Sequence, residues 1–219
     1  MPVSLRNTRH RYGLIAQALH WSIMLLVLIQ LVLGVGAYNS PPVGERLVIH
    51  HLHYSLGITI FALMLARLGW RLLSAPPPLP SSVMGLQRLA ADGTHIAIYV
   101  LLLAMPVVGW LYCSATLLTT TWFGIVTLPN PFGPSARLAV ALKMLHMDMA
   151  GALVTLIVMH VCAAFWHQFV HKDNLLARML PMGRHAAGAE PALTEKPSST
   201  DVSTTPRVDQ APQRKDGGW

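Results

Sequence analysis

The sequence predicts an all-α membrane protein: a four-transmembrane-helix bundle with both termini cytoplasmic. Three observations carry that expectation. Of the 219 residues, 53% are hydrophobic and only 11% charged, against roughly a quarter charged in a soluble domain; the mean hydropathy is +0.47. Residues 12–44, 47–66, 93–136 and 149–171 contain no Asp, Glu, Lys or Arg, and about 20 apolar residues suffice to cross a hydrocarbon core of roughly 30 Å. The cations are also lopsided. Arg6, Arg9, Arg11, Arg67, Arg71, Arg88, Lys172, Arg178 and Arg184 fall at one end of these stretches, and only Arg46, Arg137 and Lys143 at the other. The positive-inside rule assigns the richer end to the cytoplasm.

Taken in chain order, the first helix is expected near residues 14–38. Basic residues precede it, as in a signal peptide, but it is too long and lacks an A-x-A cleavage site, so it is read as retained. The second helix is expected near 50–72. The connection that follows, SAPPPLPSSVMG, is too proline-rich for a helix and reads as a stiff extended strap. A third helix is expected near 94–117, bent at Pro106. Beyond it, TLLTTTWFGIVTLPNPFGPSAR is rich in Thr, Pro and Gly and reads as an extramembrane loop with a short amphipathic piece at the interface. The fourth helix is expected near 145–170. From about Arg184 the composition turns to Ala, Pro, Ser, Thr and charge, which cannot bury enough apolar surface to fold. The chain thus divides into a membrane domain, 1–183, and a disordered cytoplasmic tail, 184–219. No internal repeat is present, so repeat-based transporter architectures gain no support.

Composition narrows the chemistry. Nine acidic residues in the whole chain are too few and too scattered for a di-iron carboxylate bundle. Cys113 and Cys162 stand in separate apolar stretches, with no C-x-x-C and no C-x-x-C-H, which argues against iron–sulfur clusters, thiol chemistry and covalent haem. The net charge of +7 is accounted for by topology, so nucleic acid is not expected as a partner.

The eleven histidines carry most of the information, because an ionisable residue inside a span is a functional hypothesis by default. His10, His171 and His185 fall in basic or interfacial segments and read as surface residues. His20, His50, His51, His53, His95, His146, His160 and His167 lie within or at the edges of the helices. His146 and His160 are fourteen residues apart on the fourth helix, or 1400° at 100° per residue, about 40° short of four turns, so both face one way. The rise between them is about 21 Å, enough for two sites, one near each membrane surface. His20 enters the first helix at the depth of His160, and His53 enters the second at the depth of His146. Two pairs result, His20–His160 and His53–His146. Facing imidazoles in a four-helix bundle suit axial ligation of a low-spin haem iron, so two b-type haems are expected. A hydrogen bond to a neighbouring helix would account for any one histidine, but less well for four that match in pairs. Copper or zinc at His51 and His53 is disfavoured, since residues two apart point to different helix faces and no third ligand follows.

Four segments, ALHW at 18–21, LHYSLGITIFALMLARLGWRL at 52–72, THIAIYVLLLAMPVVGWL at 94–111 and LHMDMAGALVTLIVMHVCAAFWHQFVHKDNLLARMLP at 145–181, are specific in combination. In this order they resemble the bacterial cytochrome b561 family and the wider group of di-haem cytochrome b subunits of nickel–iron hydrogenases and formate dehydrogenases, over residues 8–183. The resemblance implies haem ligands on the first, second and fourth helices, matching His20, His53, His146 and His160. It implies a bacterial inner-membrane protein that passes electrons between the membrane quinone pool, with ubiquinone as redox partner, and an outer-face donor or acceptor, superoxide for some members.

Several assignments stay open on sequence alone. His50 competes with His53, because the two lie on neighbouring helix faces. His95 matches a family position close in depth to the His20–His160 pair, and is divided between a quinone carbonyl, a haem propionate and a structural hydrogen bond; His167 is similarly ambiguous. Arg67 and Arg71, four apart at the cytoplasmic end of helix two, are divided between haem propionates, quinone-pocket charge and snorkelling to lipid phosphates. Gly34, Gly36, Gly57, Gly109 and Gly151 would permit close approach of a porphyrin or another helix. Function divides three ways: a stand-alone oxidoreductase exchanging electrons with quinone, a membrane-anchor electron-transfer subunit of a hydrogenase- or dehydrogenase-type complex, and a haem-free structural or transport protein.

Overall fold

Four long helices account for nearly all the ordered secondary structure of the computed structural model, which describes residues 4–40, 44, 47–78, 85–173 and 175–180. They are α1 (Leu14–Tyr38), α2 (Leu47–Leu73), α3 (Leu86–Ala115) and α4 (Ala136–Trp166), the last continued by a π-helical turn over His167–His171. All four are long and apolar enough to cross a bilayer. The chain is a multi-pass membrane protein. The expected tail, 184–219, lies outside the described residues.

The helix boundaries follow from local chemistry. Gly13 precedes α1 because the segment before it folds back: a Cβ there would stand 2.3 Å from the Leu5 carbonyl oxygen. Asn7 holds that segment in place, its Oδ1 accepting from Gly13 N at 2.9 Å while its Nδ2 donates to the Ser74 carbonyl, also at 2.9 Å. Gly85 opens α3 with φ +58°, a conformation that favours glycine. Ser135 caps α4, its hydroxyl accepting from Leu138 N at 3.3 Å. Both α3 and α4 begin eight or nine residues before the expected positions. Gaps between charges mark the apolar length of a helix, not its hydrogen-bonded length. Arg88 and Asp92 on α3, and Arg137 and Lys143 on α4, ride on helical turns at the ends of the apolar lengths.

Contacts join α1 to α2, α2 to α3 and α3 to α4. The fully enclosed apolar residues Ile23, Val27, Ile60, Met64, Leu102 and Leu153 form one cluster in the middle of the bundle. In a bilayer, burying such residues gains nothing over lipid, so their contribution is close van der Waals packing. Their places in the sequence matter more. Leu153 stands midway between His146 and His160, Ile60 lies seven residues beyond His53, and Ile23 one turn beyond His20. An apolar septum therefore separates the two depths at which histidines gather.

At the end opposite the N-terminal segment lie residues 116–135, expected as an extramembrane loop with a short amphipathic piece. They form a two-stranded antiparallel hairpin, β1 (Thr121–Trp122) and β2 (Val126–Thr127), packed on the wall of α2. Ser55 fastens it: Phe123 N donates to Ser55 Oγ at 2.9 Å, and that hydroxyl donates to the Thr121 carbonyl at 3.2 Å. Trp122 Nε1 reaches Thr59 Oγ1 at 3.1 Å.

Candidate functional site

The structure brings four of the helix-borne histidines into two pairs. The ring centroids of His20 (α1) and His160 (α4) lie 6.4 Å apart, with planes at 75°. Those of His53 (α2) and His146 (α4) lie 6.2 Å apart, at 69°. A metal bonded at about 2 Å to a nitrogen of each ring would hold two ring centres no more than roughly 6 Å apart, since each centre lies about 1 Å beyond its nitrogen. Among the described residues no three His, Cys, Asp or Glu side chains are grouped so as to hold a metal ion, so each pair offers a metal two imidazoles. A haem iron, already held by its macrocycle, is a metal that two such imidazoles would suffice to bind.

A further observation fits a flat group at the His53–His146 site. Glycine faces each ring. A Cβ at Gly34 would stand 3.3 Å from His53 Cε1, and one at Gly109 would stand 3.3 Å from His146 Cε1. Helix α1 thus leaves room for the ring carried by α2, and α3 for the ring carried by α4.

The HHLH run resolves into three environments. His50 bonds the Ser40 carbonyl through Nε2 at 2.9 Å, His51 Nδ1 lies 3.5 Å from the Thr121 hydroxyl, and His53 alone of the three turns to His146. His95 approaches His160 to 5.2 Å between ring centroids. It is a neighbour of the His20–His160 pair, on a third helix. His167 turns away to Asp173, with Nδ1 and Oδ2 at 2.7 Å.

Arg67 is turned inward instead of snorkelling. Its Nε donates to the Tyr99 hydroxyl at 2.8 Å and its Nη1 to the Ala16 carbonyl at 3.1 Å. The guanidinium groups of Arg67 and Arg71 lie 5.9 and 5.8 Å from the Tyr99 ring centroid. Tyr12, just before α1, shares this neighbourhood. Burial pushes its phenol above the ordinary value of 10 although Arg71, Arg67 and Arg178 pull the other way. The N-terminal segment is tied down here by Tyr12 N to the Arg178 carbonyl at 3.3 Å, Trp21 Nε1 to the Met179 carbonyl at 2.8 Å, and Arg11 to the Leu180 carbonyl. At the opposite end, Lys143 Nζ sits 5.4 Å from the Tyr38 ring centroid; Arg46 lies outside the described residues.

Sequence reasoning missed Tyr99, which anchors Arg67, and the Ser55–Trp122–Thr59 seam. Tyr99 was legible in principle, one turn after His95 on the same face. The seam was not, because nothing local couples a loop tryptophan to a threonine some sixty residues earlier.

Paired imidazoles within a four-helix membrane bundle define a membrane cytochrome b. The match to known proteins agrees: the family model for prokaryotic cytochrome b561 covers residues 11–182, and the chain belongs to that family. It is 35% identical to cytochrome b561 homolog 2 of Escherichia coli (strain K12) over 188 residues, 81% of this chain and 95% of that protein. It is 32% identical to the probable superoxide oxidase CybB of Yersinia pestis over 179 residues, 80% and 98%, and 31% identical to cytochrome b562 of Cereibacter sphaeroides over 175 residues, 74% and 90%. Membership makes this a haem b protein of membrane electron transport.

Proposed function

We propose that the protein carries two haems b, held by His20–His160 and His53–His146, and passes electrons from an outer-face donor, superoxide, to ubiquinone at the basic, cytoplasmic end of the bundle. The observation that carries this reading is the pair of imidazole pairs, at 6.4 and 6.2 Å, on either side of an apolar septum. The likeness to a probable superoxide oxidase supports the choice of donor. The excess of cations at one end supports a cytoplasmic placement of both termini and residence in the bacterial inner membrane.

Bound haem supplies one-electron redox chemistry that no side chain of this chain provides. The protein's own contributions are distinct. His20, His53, His146 and His160 fix the two centres at set depths, and Gly34 and Gly109 leave the space beside two of the rings. Arg137 and Lys143 on α4 give the outer rim positive charge that steers a small anion inward; Lys143 precedes His146 by three residues, about 4.5 Å along the axis. His95, Arg67 and Arg71 stand where a quinone carbonyl or a propionate would be received. The overall reaction balances as two superoxide anions each giving up one electron and leaving as dioxygen, while the quinone takes both electrons and two protons and becomes quinol.

The test is purified haem-loaded protein in ubiquinone-containing vesicles, given superoxide from outside. Reduction of the b-type α band and ubiquinol formation in step with superoxide loss are expected. Haem that stays oxidised under superoxide, yet is reduced by added quinol, would remove superoxide as the donor and leave a cytochrome served by another partner.

A further inference from the structure

The two histidine pairs differ in what surrounds them. Arg67 is fastened to both of its neighbouring helices beside the cytoplasmic pair: to the Ala16 carbonyl, one turn before His20 on α1, and to the Tyr99 hydroxyl, one turn after His95 on α3. It is therefore locked within a turn of the ring cluster, about 6 Å along each axis. Among the described residues no carboxylate forms an ion pair with Arg67 or Arg71. At the outer pair Lys143, one turn before His146, lies with its Nζ 5.4 Å from the Tyr38 ring centroid, and among the described residues no cation is fastened by hydrogen bonds beside His53 or His146 as Arg67 is beside the inner pair.

We infer that Arg67 makes the His20–His160 centre the better electron acceptor of the two. This rests on the proposed haem assignment. Adding one electron to a ferric centre lowers its charge by one, and a fixed cation in a low-dielectric bundle stabilises the product of that step. The balance is simple: one electron leaves the outer centre and arrives at the inner one, twice for each quinone reduced to quinol, with the outer donor oxidised. Arg67 acts in this scheme through its fixed charge, whichever acceptor its guanidinium also meets. A guanidinium suits the post because it stays charged when half-buried, where a lysine would tend to lose its proton.

The experiment is an equilibrium redox titration of the purified haem-loaded protein, followed in the α band, with His160→Ala identifying which wave belongs to the inner centre. The inner wave is expected at higher potential than the outer. Arg67→Gln should shift the inner wave to lower potential and leave the outer wave in place. Tyr99→Phe, which removes the anchor and keeps the charge, should shift it far less. Two resolved waves with an inner wave unmoved by Arg67→Gln would overturn this inference and leave the haem assignment standing. A shift as large in Tyr99→Phe as in Arg67→Gln would overturn it too, by making packing and not charge the cause. If His160→Ala retains both waves, the haem assignment itself fails.

Discussion

Replacing Gly109 by Ala isolates the role of the glycines that face the ligand rings. The added Cβ would stand 3.3 Å from Cε1 and 3.5 Å from Nδ1 of His146, at or inside the usual optimum of about 3.5–4.0 Å for such contacts. The imidazole must retreat by a few tenths of an ångström, and overpacking of this kind costs about 1–3 kcal/mol. Against this, Ala is favoured over Gly in a helix interior by about 0.5–1 kcal/mol. The two effects fall on different observables. The propensity gain belongs to the fold whether or not the site is filled, whereas the clash falls on the ring that holds the ligand. At about 1.4 kcal/mol per factor of ten, haem retention at the outer site should weaken roughly 5- to 150-fold, with protein yield and helicity unchanged. The assay is the rate and extent of haem loss from detergent-solubilised protein to an excess of a haem scavenger, one centre distinguished from the other by its α band. Gly69→Ala, where the new Cβ meets nothing within 4 Å, is the control. Outer-site retention in Gly109→Ala equal to that in wild type and control would refute the argument that this glycine exists to make room for the ring.

Other expectations follow from the same geometry. Ser55→Ala removes the hydroxyl that joins α2 to the hairpin and leaves Phe123 N unpaired, a cost of about 1–3 kcal/mol; faster proteolysis within 116–135 in the membrane-embedded protein would register it. Neutralising Arg137 and Lys143 together should slow haem reduction by superoxide and flatten its dependence on salt, measured by stopped-flow at two ionic strengths; a rate indifferent to both changes would remove the steering argument. Truncation after Arg184 should leave haem content and quinone reactivity intact, because the composition of 184–219 lacks apolar anchors. Purification in mild detergent should yield the chain without a stoichiometric iron–sulfur partner; a stable partner of that kind would favour the anchor-subunit reading.

Much of the architecture was legible because a bilayer imposes it. Charge-free stretches that are also strongly apolar and long enough read as spans, and residues fourteen apart on a helix share a face, so the pairing of His146 and His160 with different partners could be read before any coordinates. What the sequence left open was decided by tertiary contacts. His50 and His53 lie on neighbouring faces of one helix, and only the Ser40 carbonyl at the end of α1 and the gap at Gly34 distinguish them. Arg67 has the sequence context of a snorkelling side chain; the hydroxyl that draws it inward lies thirty-two residues away. The hairpin at Thr121–Thr127 was illegible as structure, since two-residue strands leave almost no pattern and its anchor, Ser55, reads as an ordinary small residue in a membrane helix.

The central claim is that two disjoint imidazole pairs hold two haems, and the haem-to-polypeptide ratio tests it most directly. A pyridine haemochrome assay against quantitative amino-acid analysis should give two haems per chain in the wild type and one in His160→Ala and in His146→Ala. A wild-type ratio near one, or a ratio still near two in either variant, would contradict the account.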